Sequence, residues 1–343
     1  MSASPDQPLP RSVAAAPDCM LDVLIPHYAD PAGLEAALAS IAAQDWLADP
    51  ANRLRVIVVD DGTPADAFAE VEAICARFRT DSGQALRLER LARNTGRPAA
   101  RNRLLDLAGA PYLAWLDAGD VWYPGKLRAQ FAELARHKAA GADLSRIWVS
   151  CAYDWDQGGG RMIRTQDVAG DQMAALLMGD RLRAYLWTFL GHAEAFARAG
   201  RFDLQLPRLQ DLDYCLHFVR AGGRIVMAPT LQTETHPAPH PLCCYFKSAK
   251  GRDARQVAAS HARILKKHAP CIRRYPRGFR ARLRQKGPLL AARFARSNGA
   301  YGLAMRYILA AVLVSPVHSL GATLGWIRGR TGRLRPHGRP TER

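Results

Sequence analysis

A chain of 343 residues, 48% of them hydrophobic, can bury one large core and a smaller appendage, which excludes disorder as its default state. Its seven cysteines are odd in number, scattered and without CxxC spacing, so neither a disulfide framework nor a cysteine metal site is indicated; a reducing cytosol suits them. The net charge of +17 suggests nucleic acid, yet 23 Lys and Arg lie from Cys243 onward against only Asp253 and Glu342, leaving residues 1–242 mildly acidic.

Residues 1–18 are rich in Ala, Pro and Ser, lack the apolar centre of a signal peptide and read as a disordered tail. Apolar runs at 21–26, 54–59, 112–116 and 147–152 predict buried strands. Between them, 31–44, 64–79, 98–107 and 125–137 predict helices, three starting near a proline, where the missing N–H costs no helical hydrogen bond. This βαβαβαβα order implies an α/β domain with a mostly parallel sheet. Beyond Cys151 the pattern loosens, with a loop at Gly158 to Gly160 and helices near 172–178 and 193–199. A helix at 211–221, stopped by Gly222 and Gly223, precedes a strand at 224–227. Residues 19–240 are thus read as one domain and 241–343 as a basic helical region.

The strands deliver polar residues to the C-terminal sheet edge, where open α/β sheets bind ligands. Strand one ends in Ile25-Pro26-His27-Tyr28, strand two in Val59-Asp60-Asp61-Gly62-Thr63, and the strand at 112–116 runs into Asp117-Ala118-Gly119-Asp120. Carboxylates there can accept from base or ribose groups. Paired carboxylates on a tight turn also suit a divalent cation bridging a diphosphate, because such ions prefer oxygen ligands.

Together these segments resemble the family 2 glycosyltransferases of the GT-A fold. That family's Pro-x-Tyr, Ser-Ile-x-x-Gln and Val-Asp-Asp-Gly-Ser are echoed by Pro26 to Tyr28, by Ser40 to Gln44 and by Val59 to Thr63. Its Asn-x-Gly…Ala-Arg-Asn and Leu-Asp-x-Asp-Asp resemble Asn94-Thr95-Gly96, Ala100-Arg101-Asn102 and Leu116 to Asp120. The resemblance implies a Rossmann-like mixed sheet flanked by helices and a nucleotide-sugar donor, of UDP type. By it, Pro26, Tyr28 and Asp61 would contact the nucleoside, with Asp60 in support. Asp117 would sit at the ribose and diphosphate, and Arg101, Asn102 and Ala118 complete the donor set. Gly119 stands where the family has a second metal-binding aspartate. A Mn²⁺ or Mg²⁺ ion would therefore rely on Asp117, with Asp120 and His236 as further ligands, or else basic side chains would neutralise the leaving diphosphate.

The segment Leu209-Gln210-Asp211-Leu212-Asp213 resembles the family's Glu-Asp-x-Asp, which places Asp211 as the base that takes the acceptor's proton in an inverting displacement. Read without the family, Asp211 also suits a cap or first-turn acid of a helix. The basic tail, with an apolar stretch at 307–327 interrupted by Pro316, fits amphipathic helices on an anionic cytosolic leaflet better than a span. A glycan or lipid-linked acceptor then follows. The rival readings are a sugar-nucleotide pyrophosphorylase, which lacks its glycine-rich loop here, a nucleic-acid binder acting through the tail, and a catalytically inactive scaffold, suggested by Gly119.

Overall fold

Strand β1 (Leu21–His27) is buried at every position, as expected of a mostly apolar strand covered on both faces. The computed structural model describes residues 19–156, 161–229, 241–246 and 253–316. Two units are distinguished, 1–248 and 249–343.

In the first unit, β1 leads to α1 (Pro31–Ala42), whose N-terminus is capped by Asp30, with Pro31 opening the first turn. β2 (Leu54–Asp60), α2 (Ala65–Ser82), β3 (Ala85–Arg90), α3 (Arg97–Leu107) and β4 (Tyr112–Trp115) follow. Next come β5 (Val121–Trp122), α4 (Lys126–Ala139), β6 (Ile147–Ser150), β7 (Tyr153–Asp156), β8 (Arg161–Arg164) and α5 (Gln172–Met178). The unit closes with β9 (Leu190–His192), α6 (Ala193–Ala199), α7 (Gln210–Arg220), β10 (Arg224–Met227) and β11 (Cys243–Phe246).

Seven strands form one sheet in the order β10-β6-β9-β4-β1-β2-β3. Its pairings are parallel except at β9, which runs antiparallel to both β4 and β6. The mixed sheet flanked by helices is the fold that the sequence implied. Two of its strands escaped the pattern: β3 alternates Leu with Arg and Glu at the sheet edge, and β9 is only three residues long. A second sheet, β5-β11-β7-β8, takes β7 and β8 from the stretch just beyond Cys151 where the pattern loosens, and two short strands, β5 and β11, from either side of it.

Pro26 is tolerated inside β1 because pairing with β4 ends at Leu24, so its missing N–H interrupts no ladder on that side. At the opposite end, buried Asp22 accepts from Arg55 Nε and Nη2 (2.8 and 2.9 Å) and from the backbone N–H groups of Gly109 and Ala110. A fully paired carboxylate of this kind ties β1, β2 and the end of α3 together at modest desolvation cost.

The second unit comprises α8 (Ala254–Lys267), capped by Asp253, α9 (Ala269–Ile272), α10 (Arg277–Ser297) and α11 (Tyr301–Val314). Val257, Ala291, Phe294 and Ala304 share its small core. Gly287 lets α10 approach α8, since a Cβ there would stand 2.4 Å from His261 Nδ1. Among the described residues, no helix is long and apolar enough to cross a membrane.

Candidate active site

At the C-terminal edge of the large sheet, three strand ends and two helix N-termini bring their polar residues together. β1 and β2 finish in register, His27 opposite Asp60. Asp60 is wholly buried and accepts from Thr63 N (2.9 Å), Thr63 Oγ1 (2.5 Å) and His27 Nδ1 (2.8 Å). The His27 Nε2 accepts from Asp30 N–H, so the hydrogen given to Asp60 sits on Nδ1. Asp60 thereby shapes the loop after β1, and with it the placement of Tyr28, which is 48% exposed. Ala29 beside it has φ +49, a left-handed conformation that non-glycine residues adopt only when their surroundings compel it.

Asp61 is turned to the chain rather than to open space. Its Oδ1 accepts from Thr95 N and Oγ1 (2.8 and 2.9 Å) and its Oδ2 from Gly96 N (2.8 Å). A carboxylate has about four acceptor positions, so one remains for a ligand. The loop it holds runs into α3. Gly62 has φ +77, and a Cβ there would lie 2.4 Å from the carbonyl carbon of Arg93. Gly62→Ala is expected to destabilise the protein by about 1–3 kcal/mol through backbone strain and that collision, measured as a lowered Tm; an unchanged Tm would show that the two loops can separate freely.

The charged centre is built around Arg101 on α3, a residue with no exposed surface. Its Nη2 donates to both oxygens of Asp117 (2.9 and 3.1 Å), and its Nη1 donates to Asp211 Oδ1. Arg97, one turn earlier, comes within 3.6 Å of Asp117. The Arg101 guanidinium also lies against the rings of Phe202 and Trp115, at 5.5 and 5.9 Å. Asp211 stands in the first turn of α7, whose aromatic side packs firmly: Phe218 stacks on Trp148 at 3.7 Å and Tyr214 on Phe202 at 4.1 Å. Leu209, which begins that helix, has φ +58. The Asp211 side chain makes no helix cap; it reaches Arg101 instead.

These neighbours separate the two carboxyl groups. Burial pushes both up, but at Asp117 the charges of Arg101 and Arg97 overcome it and hold the group below the usual carboxylate range. At Asp211 burial prevails, reinforced by the negative charge of Asp117 and only partly offset by Arg101, so that carboxyl is raised. Two acidic groups with opposed shifts around one cation are suited to different roles.

The other sequence-predicted residues are placed as follows. Pro26 is buried in β1, and Ala118 packs against the core. Asn102 clamps Phe202 by a reciprocal pair of hydrogen bonds (2.8 and 2.9 Å), fixing the loop that leads toward α7. Asp120 is buried at 4% exposure, within electrostatic range of the Cys243 thiol. Gly119 has φ +92 and donates its N–H to the Gly33 carbonyl, so the missing second carboxylate coincides with a backbone conformation that side chains disfavour. His236 lies outside the described residues. The roles of His27 and Arg97 went unread, although the four-residue spacing of Arg97 and Arg101 on one helix was a usable signal.

Residues 22–198 match the family model "Glycosyl transferase family 2". The chain is 26% identical over 211 residues to the amylovoran biosynthesis glycosyltransferase AmsB of Erwinia amylovora, a match covering 61% of this chain and 67% of AmsB. It is 35% identical over 86 residues to the succinoglycan biosynthesis protein ExoU of Rhizobium meliloti, covering 25% of this chain and 23% of ExoU. Among solved structures, residues 1–349 of S. aureus TarS in complex with UDP-GlcNAc superpose with a TM-score of 0.53 at 12% identity, covering 88% of this chain and 92% of that one. The mannosyltransferase PcManGT from Pyrobaculum calidifontis, with GDP-Man and Mn²⁺, gives 0.50 at 20% identity over 93% and 83%. The fold and these matches define an enzyme of the glycosyltransferase class. More particularly, the chain belongs to glycosyl transferase family 2.

Proposed function

We propose that the enzyme transfers a sugar from a UDP-sugar to a hydroxyl of a growing glycan or lipid-linked acceptor, with inversion, in polysaccharide synthesis at the cytosolic face of a membrane. One observation carries this reading: Arg101 joins Asp117 and Asp211 at the C-terminal edge of the sheet. Asp211 takes the proton from the acceptor hydroxyl as its oxygen attacks the anomeric carbon from the side opposite the diphosphate. The bond from that carbon to the phosphate oxygen breaks, and the diphosphate leaves with the electron pair. On accepting the proton Asp211 loses its charge, which frees the Arg101 guanidinium to act with Arg97 on the growing negative charge. Tyr28 and the remaining acceptor position of Asp61 serve the nucleoside.

Asp117 and Asp120 are oxygen donors of the kind Mn²⁺ or Mg²⁺ takes, and when bound such an ion would offset part of the diphosphate charge. Because Arg101 already holds both oxygens of Asp117 and Gly119 contributes no carboxylate, the guanidinium groups share that task. The biosynthetic names of AmsB and ExoU support a glycan product, and the UDP-GlcNAc bound to TarS supports a UDP-sugar donor.

The test is UDP release from a panel of UDP-sugars across pH, with and without added Mn²⁺. The raised Asp211 carboxyl must be deprotonated to act as base, so activity is expected to fall on the acid side at a pH above the ordinary carboxylate value of about 4. An acid limb at or below that value would remove Asp211 from the role, and no turnover with any UDP-sugar would overturn the donor assignment.

A further inference from the structure

The helical second unit carries an apolar face that its own core does not use. On α11, Leu303, Ala304, Tyr307, Ala310 and Ala311 are turned inward, while Tyr301, Met305, Ile308, Leu309, Val312 and Leu313 are exposed, Leu313 to 80% and Tyr301 to 70%. At 3.6 residues per turn these six positions fall on one arc of roughly 140°, with exposed Arg306 at its margin. Single exposed apolar residues are ordinary, but a continuous stripe on one helix is not. The unit's charge is strongly positive: residues 253–316 contain 14 Lys and Arg and one acid, Asp253.

We propose that this stripe of α11 enters the outer acyl layer of an anionic bilayer, with the helix lying in the plane of the surface and Arg306 at the headgroups. The proposal rests on the membrane-surface reading above and names the face responsible for it. A second copy of the chain is a poor occupant, because pairing would bring two strongly cationic units together. Anionic lipid supplies both the opposite charge and the apolar layer. Spanning is excluded for α11 by length, since 14 residues rise about 21 Å against a hydrocarbon core of about 30 Å.

The experiment is co-sedimentation of the full chain with vesicles of phosphatidylglycerol and phosphatidylcholine, compared with phosphatidylcholine alone. Leu309→Glu combined with Leu313→Glu should lower partition into the anionic vesicles by roughly tenfold or more. Both positions are exposed, so UDP-sugar turnover in solution should be unchanged. Equal binding of the variant, or equal binding to both vesicle types, would overturn the proposal. So would a wild-type dimer that the substitutions make monomeric, which would seat a second copy on the face. Intact anionic-vesicle binding that the substitutions abolish, in a protein that turns over no sugar nucleotide, would support the anchor while overturning the catalytic reading.

Discussion

Replacing Asp211 with asparagine is expected to lower kcat for sugar transfer by about 100- to 10,000-fold, the range that a positioned base contributes. Asparagine keeps an oxygen that can accept from Arg101, so the contact that orders the start of α7 is retained in part. What it loses is the capacity to receive a proton. Donor affinity should therefore change little, and the UDP-sugar should raise the Tm of the variant as it does that of the wild type, because binding to the folded state alone stabilises by mass action. Turnover within a few-fold of wild type would show that another group takes the proton. Loss of donor-induced stabilisation would instead show that Asp211 serves binding.

The second large effect concerns stability. Arg101→Met is expected to destabilise the fold by about 3–5 kcal/mol, the usual consequence of removing one partner from a buried ion cluster. Arg101 has no exposed surface and bridges Asp117 and Asp211, so its loss leaves two part-buried carboxylates with Arg97 as the remaining cation at Asp117. Both carboxyl groups would then titrate above their unfolded values. Groups raised in this way cost nothing while protonated and destabilise as pH rises through their folded values. The deficit in Tm should accordingly shrink as pH is lowered toward the ordinary carboxylate value of about 4. Adding Asp211→Asn to Arg101→Met should recover part of the lost stability, since it removes one uncompensated charge. An equal deficit at all pH values, with no recovery in the double variant, would assign the effect to lost packing against Trp115 and Phe202.

Much of this was legible in the sequence because burial writes a strong local signal. The largely apolar runs of β1, β2 and β4 stand out, and prolines mark where α1 and α3 begin. The signal fails where a strand is short or half exposed: β3 alternates polar residues, and β9 gets its place from β4 and β6 on either side. The candidate site divides in the same way. Asp60, Asp61 and Asp117 were conspicuous at the strand ends, but their partners were not. Asp61 meets Thr95 and Gly96 more than thirty residues on, and Arg101 meets Asp211 across 110 residues, contacts that no local pattern carries. The two carboxyl groups consequently read alike in sequence, and only the packing around Arg101 pushes them in opposite directions.

The position of β11 has a practical implication for dissecting the enzyme. This strand lies between β5 and β7, pairing Cys243 with Trp122 on one side and with Tyr153 on the other. A polypeptide that stops at 240 would retain every residue of the charged centre yet leave two strands with open backbone edges, a template for association with other chains. The last four-residue strand of the first unit thus acts as a keystone laid after the arch, and a catalytic fragment has to extend past 246 to keep it.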